Sequence, residues 1–333
     1  MAALSRREFV RRSAAGGAAL FGGSSLLRAG EALASSSAGT TKLAMQSAWI
    51  NDFEFLGYFI GMTNGYYKAQ GIDLNYLSGG PSVIPESSLL SKKAPIALTT
   101  PDTTIKAIAS DGAPFVIIGA QFQKSPLGVV SLAKKPVHTP KDLIGKTLAV
   151  PPVNTLAIEA MLKINGIDKS KVKIVPYSYD PTPLLKGEID ASIDFTDDLP
   201  FTIQQAGEKP VSFLLYDHGY PLFNDTVVVT KDALASQRDL LVKWLRASRK
   251  GWVENFKDPK AYPAKFKDSY FKGNGRTIEN EIFSNTVQKK LMESPNGIYS
   301  MSEAAIEKNL KALRAIGIKG TRKMFDTTLL DEI

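Results

Sequence analysis

Cysteine is absent from the 333 residues and histidine occurs only twice. The first absence excludes disulfides, thiol nucleophiles, thiolate metal sites and a lipid-modified N-terminal cysteine. His138 and His218 stand far apart in turn-like sequence, so they predict neither a metal site nor a catalytic pair. No glycine-flanked serine suggests a hydrolase nucleophile. The expectation is a protein without catalytic residues, cofactor or metal. Lysine and arginine are interspersed with acids, as in Arg238-Asp239 and Glu307-Lys308, so a nucleic-acid-binding stripe is not expected. The apolar stretch Ser13–Leu27 is rich in Gly, Ala and Ser and falls short of the roughly 20 apolar residues that span a bilayer. Internal repeats are lacking too.

What is present begins with Ser5-Arg6-Arg7-Glu8-Phe9-Val10, two further arginines, that weakly apolar stretch and the small-residue pattern Ala32-Leu33-Ala34. This order predicts a twin-arginine signal over residues 1–34, cleaved after Ala34. Its removal takes away five arginines (6, 7, 11, 12, 28) and two glutamates (8, 31), so the formal charge of +8 drops to about +5. With no cysteine to lipidate, the mature chain is expected to diffuse freely in a periplasm.

The remaining sequence alternates strand-like and helix-like segments, as expected of an α/β protein with mainly parallel sheets. Lys42–Trp49, Ile72–Tyr76, Ile96–Leu98, Phe115–Ala120 and Val129–Ala133 read as strands; Glu54–Gln70 and Thr103–Ser110 read as helices. A turn at Pro136–Lys146 opens a second unit, with a strand at Thr147–Val150 and a helix at Thr155–Asn165. The alternation repeats through Val172–Pro176, Leu184–Gly187, Ile189–Phe195 and Pro200–Ala206. Thr226–Thr230 is a strong β run. Beyond it the pattern is largely helical, with Gln237–Phe256 placing Trp244 and Trp252 on an apolar face expected to be core, and Tyr299–Gly317 amphipathic.

Three groups of residues carry a resemblance. They are Trp49-Ile50-Asn51-Asp52-Phe53-Glu54-Phe55-Leu56-Gly57-Tyr58-Phe59 with Gly65-Tyr66-Tyr67 and Gly79-Gly80-Pro81; Gln121–Leu127; and Thr139–Lys146 with Pro183–Ala191. In order and spacing they resemble the periplasmic receptors of ABC importers related to the thiamin-pyrimidine synthases, a group that includes riboflavin, sulfonate and nitrate binders. The resemblance implies a type II, Venus-flytrap receptor of two lobes, residues 40–133 with 228–333 and residues 134–227, closing on a small-molecule ligand. It also implies partners, a permease and its ATPase, with membrane contact only through them, and a monomer as the default state. The synthases themselves use a cysteine-rich iron motif, which this chain lacks.

Within the implied cleft the candidate ligand contacts are Trp49, Asn51, Asp52, Glu54, Tyr58, Thr100, Asp102, Gln121, Asn154, Asp180, Thr196, Asp197 and Asp198. Trp49 ends the first strand and can offer a flat stacking surface or lie in the core. Asn51, Asp52 and Glu54 fall at a helix start, where capping alone also explains them. Asp180 and the Asp197-Asp198 pair sit in segments without Arg or Lys. These acids would repel nitrate or a sulfonate, so the favoured ligand is a planar nitrogen heterocycle, a thiamin-precursor pyrimidine before riboflavin. The alternatives are a sulfonate or nitrate receptor, an exported sensor or, less favoured, a pyrimidine-synthase-like enzyme.

Overall fold

The structure, a computed structural model, describes residues 40–333. The expected signal at residues 1–34 lies outside the described residues. In chain order the strands are β1 (Thr41–Gln46), β2 (Ile72–Leu77), β3 (Ile96–Thr99), β4 (Phe115–Phe122), β5 (Leu127–Leu132), β6 (Thr147–Val150), β7 (Lys173–Pro176), β8 (Ala191–Phe195), β9 (Pro210–Leu214) and β10 (Asn224–Thr230). They form two five-stranded sheets, ordered β2-β1-β3-β10-β4 and β7-β6-β8-β5-β9. Both sheets follow one plan. β1 pairs in parallel with β2 and β3, and β6 with β7 and β8. β10 runs antiparallel between β3 and β4, and β5 antiparallel between β8 and β9. The result is a two-lobed α/β fold.

The chain therefore leaves the first sheet after β4 and returns to it at β10. The expected first lobe runs through residue 133, but hydrogen bonding gives β5 to the second sheet. A strand buried on both faces looks the same whichever sheet receives it; only its nonlocal partners decide.

The helices are α1 (Leu56–Thr63), α2 (Tyr66–Ala69), α3 (Pro85–Leu90), α4 (Pro101–Asp111), α5 (Thr155–Ile164), α6 (Thr182–Leu185), α7 (Leu199–Gln205), α8 (Lys231–Ser236), α9 (Arg238–Asn255), α10 (Pro263–Phe266), α11 (Ile278–Met292) and α12 (Glu303–Ala315). The expected helix over 54–70 is broken into a 3-10 turn at Phe53–Phe55, α1 and α2. Gly65 makes the break with a left-handed φ of 71°, a conformation that glycine adopts without steric cost. The expected strand over 42–49 stops at Gln46, which frees Ser47–Asp52 to form the loop that carries Trp49. Likewise α12 starts at Glu303 and not at Tyr299, whose backbone bridges Ala120 with a φ of 74°.

Trp244 and Trp252 are fully buried, as expected of core residues. Trp244 stacks on Tyr58 with ring centroids 5.8 Å apart. Trp252 meets the same tyrosine edge-on and lies where a side chain at Gly57 would go. A Cβ at Gly251 would overlap the Gly57 carbonyl oxygen, so α1 and α9 touch backbone to backbone. Gly251→Ala is accordingly expected to destabilise the protein by about 1–3 kcal/mol despite alanine's better helix propensity. A melting temperature at or above that of the wild type would refute this account of the helix contact.

α11 is held differently. Its buried face carries Asn280, Glu281, Ser284, Asn285 and Gln288. Gln288 Nε2 donates to the Phe53 carbonyl oxygen at 2.9 Å, and Phe53 N donates to Glu281 Oε2 at 2.7 Å. Two side chains of α11 thus clamp the segment that follows Asp52.

Candidate functional site

Loops at the carboxyl ends of β1, β3, β6 and β8 meet around a cavity of about 800 Å³ between the two sheets. This is where open α/β sheets generally receive ligands, and the volume lies in the usual range for small-molecule sites. One wall is aromatic. Trp49, from the loop after β1, lies 4.7 Å from the ring centroid of Tyr179, from the loop after β7, at an interplanar angle of 59°. Tyr179 has a φ of 64° and continues to Tyr177 at 5.5 Å. Each lobe therefore contributes one face of the aromatic wall.

Another part of the lining is acidic. Asp52 Oδ1 accepts from Glu54 N at 3.0 Å, capping the 3-10 turn, and both carboxyls are buried. Beneath them Gln121 Nε2 donates to the Glu54 carbonyl oxygen at 2.8 Å and to Asp225 Oδ2 at 3.0 Å, while Gln121 Oε1 accepts from Tyr58 at 2.8 Å. Asp225 is 1 % exposed and holds a φ of 45°, strained for a non-glycine residue. Burial pushes the Glu54 carboxyl well above its ordinary range, and the neighbouring Asp225 adds to the shift. Asp225 is itself raised by burial, and a hydrogen bond with Glu54 opposes that rise. Each of the two carboxyls thus holds a proton more readily than a free one, as neighbouring buried carboxyls do.

From the second lobe, burial first and Asp198 second raise Asp194 to about 7. Glu86 Oε1 accepts from the hydroxyls of Thr99, Thr103 and Thr104. Asp102 accepts from Tyr220 at 2.9 Å and from Thr103 N at 3.0 Å.

One cation lines the cavity. Arg276 pairs through Nη1 with Asp198, through Nε with Glu281 at 2.8 Å and through Nη2 with Asn280, and it lies over the Phe53 ring at 5.1 Å. Nothing in the acidic segments, which hold no Arg or Lys of their own, points to it. Arg276 arrives from a turn far along the chain, between two glycines of positive φ and the Thr277 cap of α11. Its charge is already matched by the carboxylates of Asp198 and Glu281.

Of the thirteen candidates, Trp49, Asp52, Glu54, Thr100, Asp102, Asn154 and Asp198 line the cavity. The other six do not. Tyr58 and Gln121 lie beneath the floor as its hydrogen-bonded support. Asn51 gives its carbonyl oxygen to Asn274. Asp180 accepts from Thr182 N at 2.9 Å, the turn role that its local sequence also allows. Thr196 bonds back to the Pro126 carbonyl oxygen, and Asp197 is fully buried away from the cavity. Tyr179, Asp194, Asp225 and Glu86 line the site but are not among the candidates. Asp194 alone carries a sequence signal, a strand-end acid just before Asp197-Asp198.

A curated relative from Halalkalibacterium halodurans, described as formylaminopyrimidine-binding protein, is 25 % identical over 74 % of this chain and 76 % of its own length. The riboflavin-binding protein RibY of Chloroflexus aurantiacus is 20 % identical over 66 % of this chain and 63 % of its own. Among solved structures, the periplasmic aliphatic sulphonate-binding protein SsuA of Escherichia coli superposes with a TM-score of 0.64 at 12 % identity, covering 82 % of this chain and 90 % of the other. That likeness concerns the fold. The family described as NMT1/THI5 like matches residues 52–262, a span that includes Asp52, Glu54, the Tyr179 loop, Asp194 and Asp225, and the chain belongs to that family.

Proposed function

We propose that this protein is the solute-binding component of an ABC importer and that it captures a planar, amino-substituted nitrogen heterocycle between its lobes. The observation that carries this reading is the aromatic wall of Trp49 and Tyr179 above buried carboxyls. A flat ring stacks on the first, and ring N–H and amino groups donate to the second. A pyrimidine of the thiamin-precursor type is favoured, and the relative described as formylaminopyrimidine-binding supports it. Riboflavin is the second reading, favoured by a volume of about 800 Å³ that admits a fused ring system. A sulfonate or nitrate is disfavoured, since Arg276 is committed to Asp198 and Glu281 and the remaining charges are negative.

The protein acts by binding and hinge closure rather than by chemistry. It works as a periplasmic monomer, exported through the twin-arginine pathway and not lipid-anchored, delivering ligand to a permease and ATPase. The lobes proposed for closure are the two sheets with their flanking helices.

Isothermal titration of residues 35–333 with aminopyrimidines, riboflavin, taurine and nitrate tests the reading. Binding of an aminopyrimidine or a flavin is expected, weakened roughly tenfold by Trp49→Ala through lost stacking. Binding of taurine or nitrate in place of both heterocycles would overturn it.

A further inference from the structure

Seven carboxyl groups line the cavity against one guanidinium. Three have partners of their own within the protein. Glu86 has three hydroxyl donors, Asp102 has Tyr220 and Thr103 N, and Asp198 has Arg276. Asp52 caps its own turn, but burial raises its carboxyl well above the ordinary range, and Arg276 offsets only part of that rise. Only Asp198 of the seven is ion-paired, and burial raises Asp52, Glu54 and Asp225 in one lobe and Asp194 in the other.

Asp225 carries the buried unpartnered oxygen among these raised carboxyls. It is 1 % exposed, lines the cavity and has an Oδ1 with no hydrogen-bond partner. Asp194 receives only the Tyr177 hydroxyl at 3.2 Å and the adjacent Phe195 N at 2.8 Å. Trp49 and Tyr179 line the same cavity as Asp194 and Glu54, and both acids act on Tyr179. Buried carboxylates are costly without a counter-charge, and an aromatic face attracts cations. Both features call for the same partner.

We infer that the ligand is a cation: a heterocycle bearing a protonated amine whose nitrogen lodges between the Glu54–Asp225 pair and Asp194, against Trp49 and Tyr179. This deepens the heterocycle reading and rests on it. A ligand so placed joins carboxyls of both lobes, and its charge favours the closed form over the open one. Its arrival is also expected to release a proton held by the raised carboxyls of Glu54 and Asp225. The groups acting on that pair are the carboxyls of Asp52 and Asp197 and the phenols of Tyr58, Tyr76, Tyr179 and Tyr299.

The test uses two compounds of nearly identical shape, 4-amino-2-methylpyrimidine bearing a 5-aminomethyl or a 5-hydroxymethyl group, titrated calorimetrically at pH 7.5. The ammonium compound is expected to bind at least about tenfold more tightly, an advantage that shrinks as salt rises. It alone is expected to release close to one proton, seen as a dependence of the heat on buffer ionisation enthalpy. The double variant Glu54→Gln/Asp225→Asn should bring the affinity ratio close to one. If that variant does not fold, Asp194→Asn is expected to lower the same ratio at least threefold. Equal or tighter binding of the hydroxymethyl compound overturns the inference while the heterocycle reading stands. If neither pyrimidine binds, and riboflavin also fails, both fall.

Discussion

Arg276→Ala is expected to lower the melting temperature by roughly 6–12 °C, the largest loss foreseen for a single substitution that leaves the apolar core intact. The guanidinium is enclosed by Asp198, Glu281, Asn280 and Ser284, and its side chain is 13 % exposed. Truncation strands the Glu281 carboxylate, itself 1 % exposed, without its cation. Breaking a buried pair by removing one partner costs about 3–5 kcal/mol, because the remaining charge stays desolvated. The loss also reaches the interface between lobes, since Arg276 precedes α11 while Asp198 precedes α7. Beside them Asn280 Nδ2 donates to Thr202 Oγ1 at 3.1 Å, and Phe201 stacks on Phe283 at 4.8 Å. Arg276→Lys keeps the charge but loses the fork that reaches three partners, and an intermediate shift is expected. Scanning calorimetry decides, and a shift below about 2 °C for the alanine variant would show that the cluster contributes little.

Asp194→Asn is expected to stabilise the ligand-free protein at pH 8 and to do little at pH 4. In the folded protein burial and Asp198 raise this carboxyl to about 7 from an ordinary 3.8, against the opposing influence of the Phe195 N–H, Tyr177 and Arg276. A raised acid is protonated in the folded state where the unfolded chain has already ionised, so stability is lost as pH climbs from about 4 to about 7. Above that the loss is complete. A shift of this size corresponds to a ceiling of about 4 kcal/mol, reduced here because the side chain is only partly shielded from water. Asparagine removes the titration and keeps groups able to bond Tyr177 and Phe195. Melting temperatures of variant and wild type, compared from pH 4 to pH 8, should diverge with rising pH; parallel curves would mean that Asp194 ionises freely. A gain in stability joined to a loss of affinity for a cationic ligand is the trade-off expected of a strained binding residue.

Much of the frame is legible in the order of residues. Apolar periodicity locates nine of the ten strands among the described residues closely or in part, and it puts Trp244 and Trp252 in the core, where they are fully buried. It does not reveal α11, because that helix buries Asn280, Glu281, Asn285 and Gln288, and a polar buried face leaves no apolar stripe to read. Yet α11 holds the Asp52–Phe55 turn in place. Gly65 breaks the expected long helix for a reason that only its backbone angle makes plain.

The sequence by itself determined the α/β class, the family resemblance, the acidic sign of the cleft and a tryptophan near the end of the first strand, since each is written in a local run of residues. Tertiary structure alone decided that β5 belongs to the second sheet, that Arg276 neutralises Asp198 and that Asp225 meets Glu54. These are pairings between residues far apart in the chain. Neither partner's neighbours reveal such a pairing, because strand hydrogen bonds and carboxyl contacts are satisfied across space.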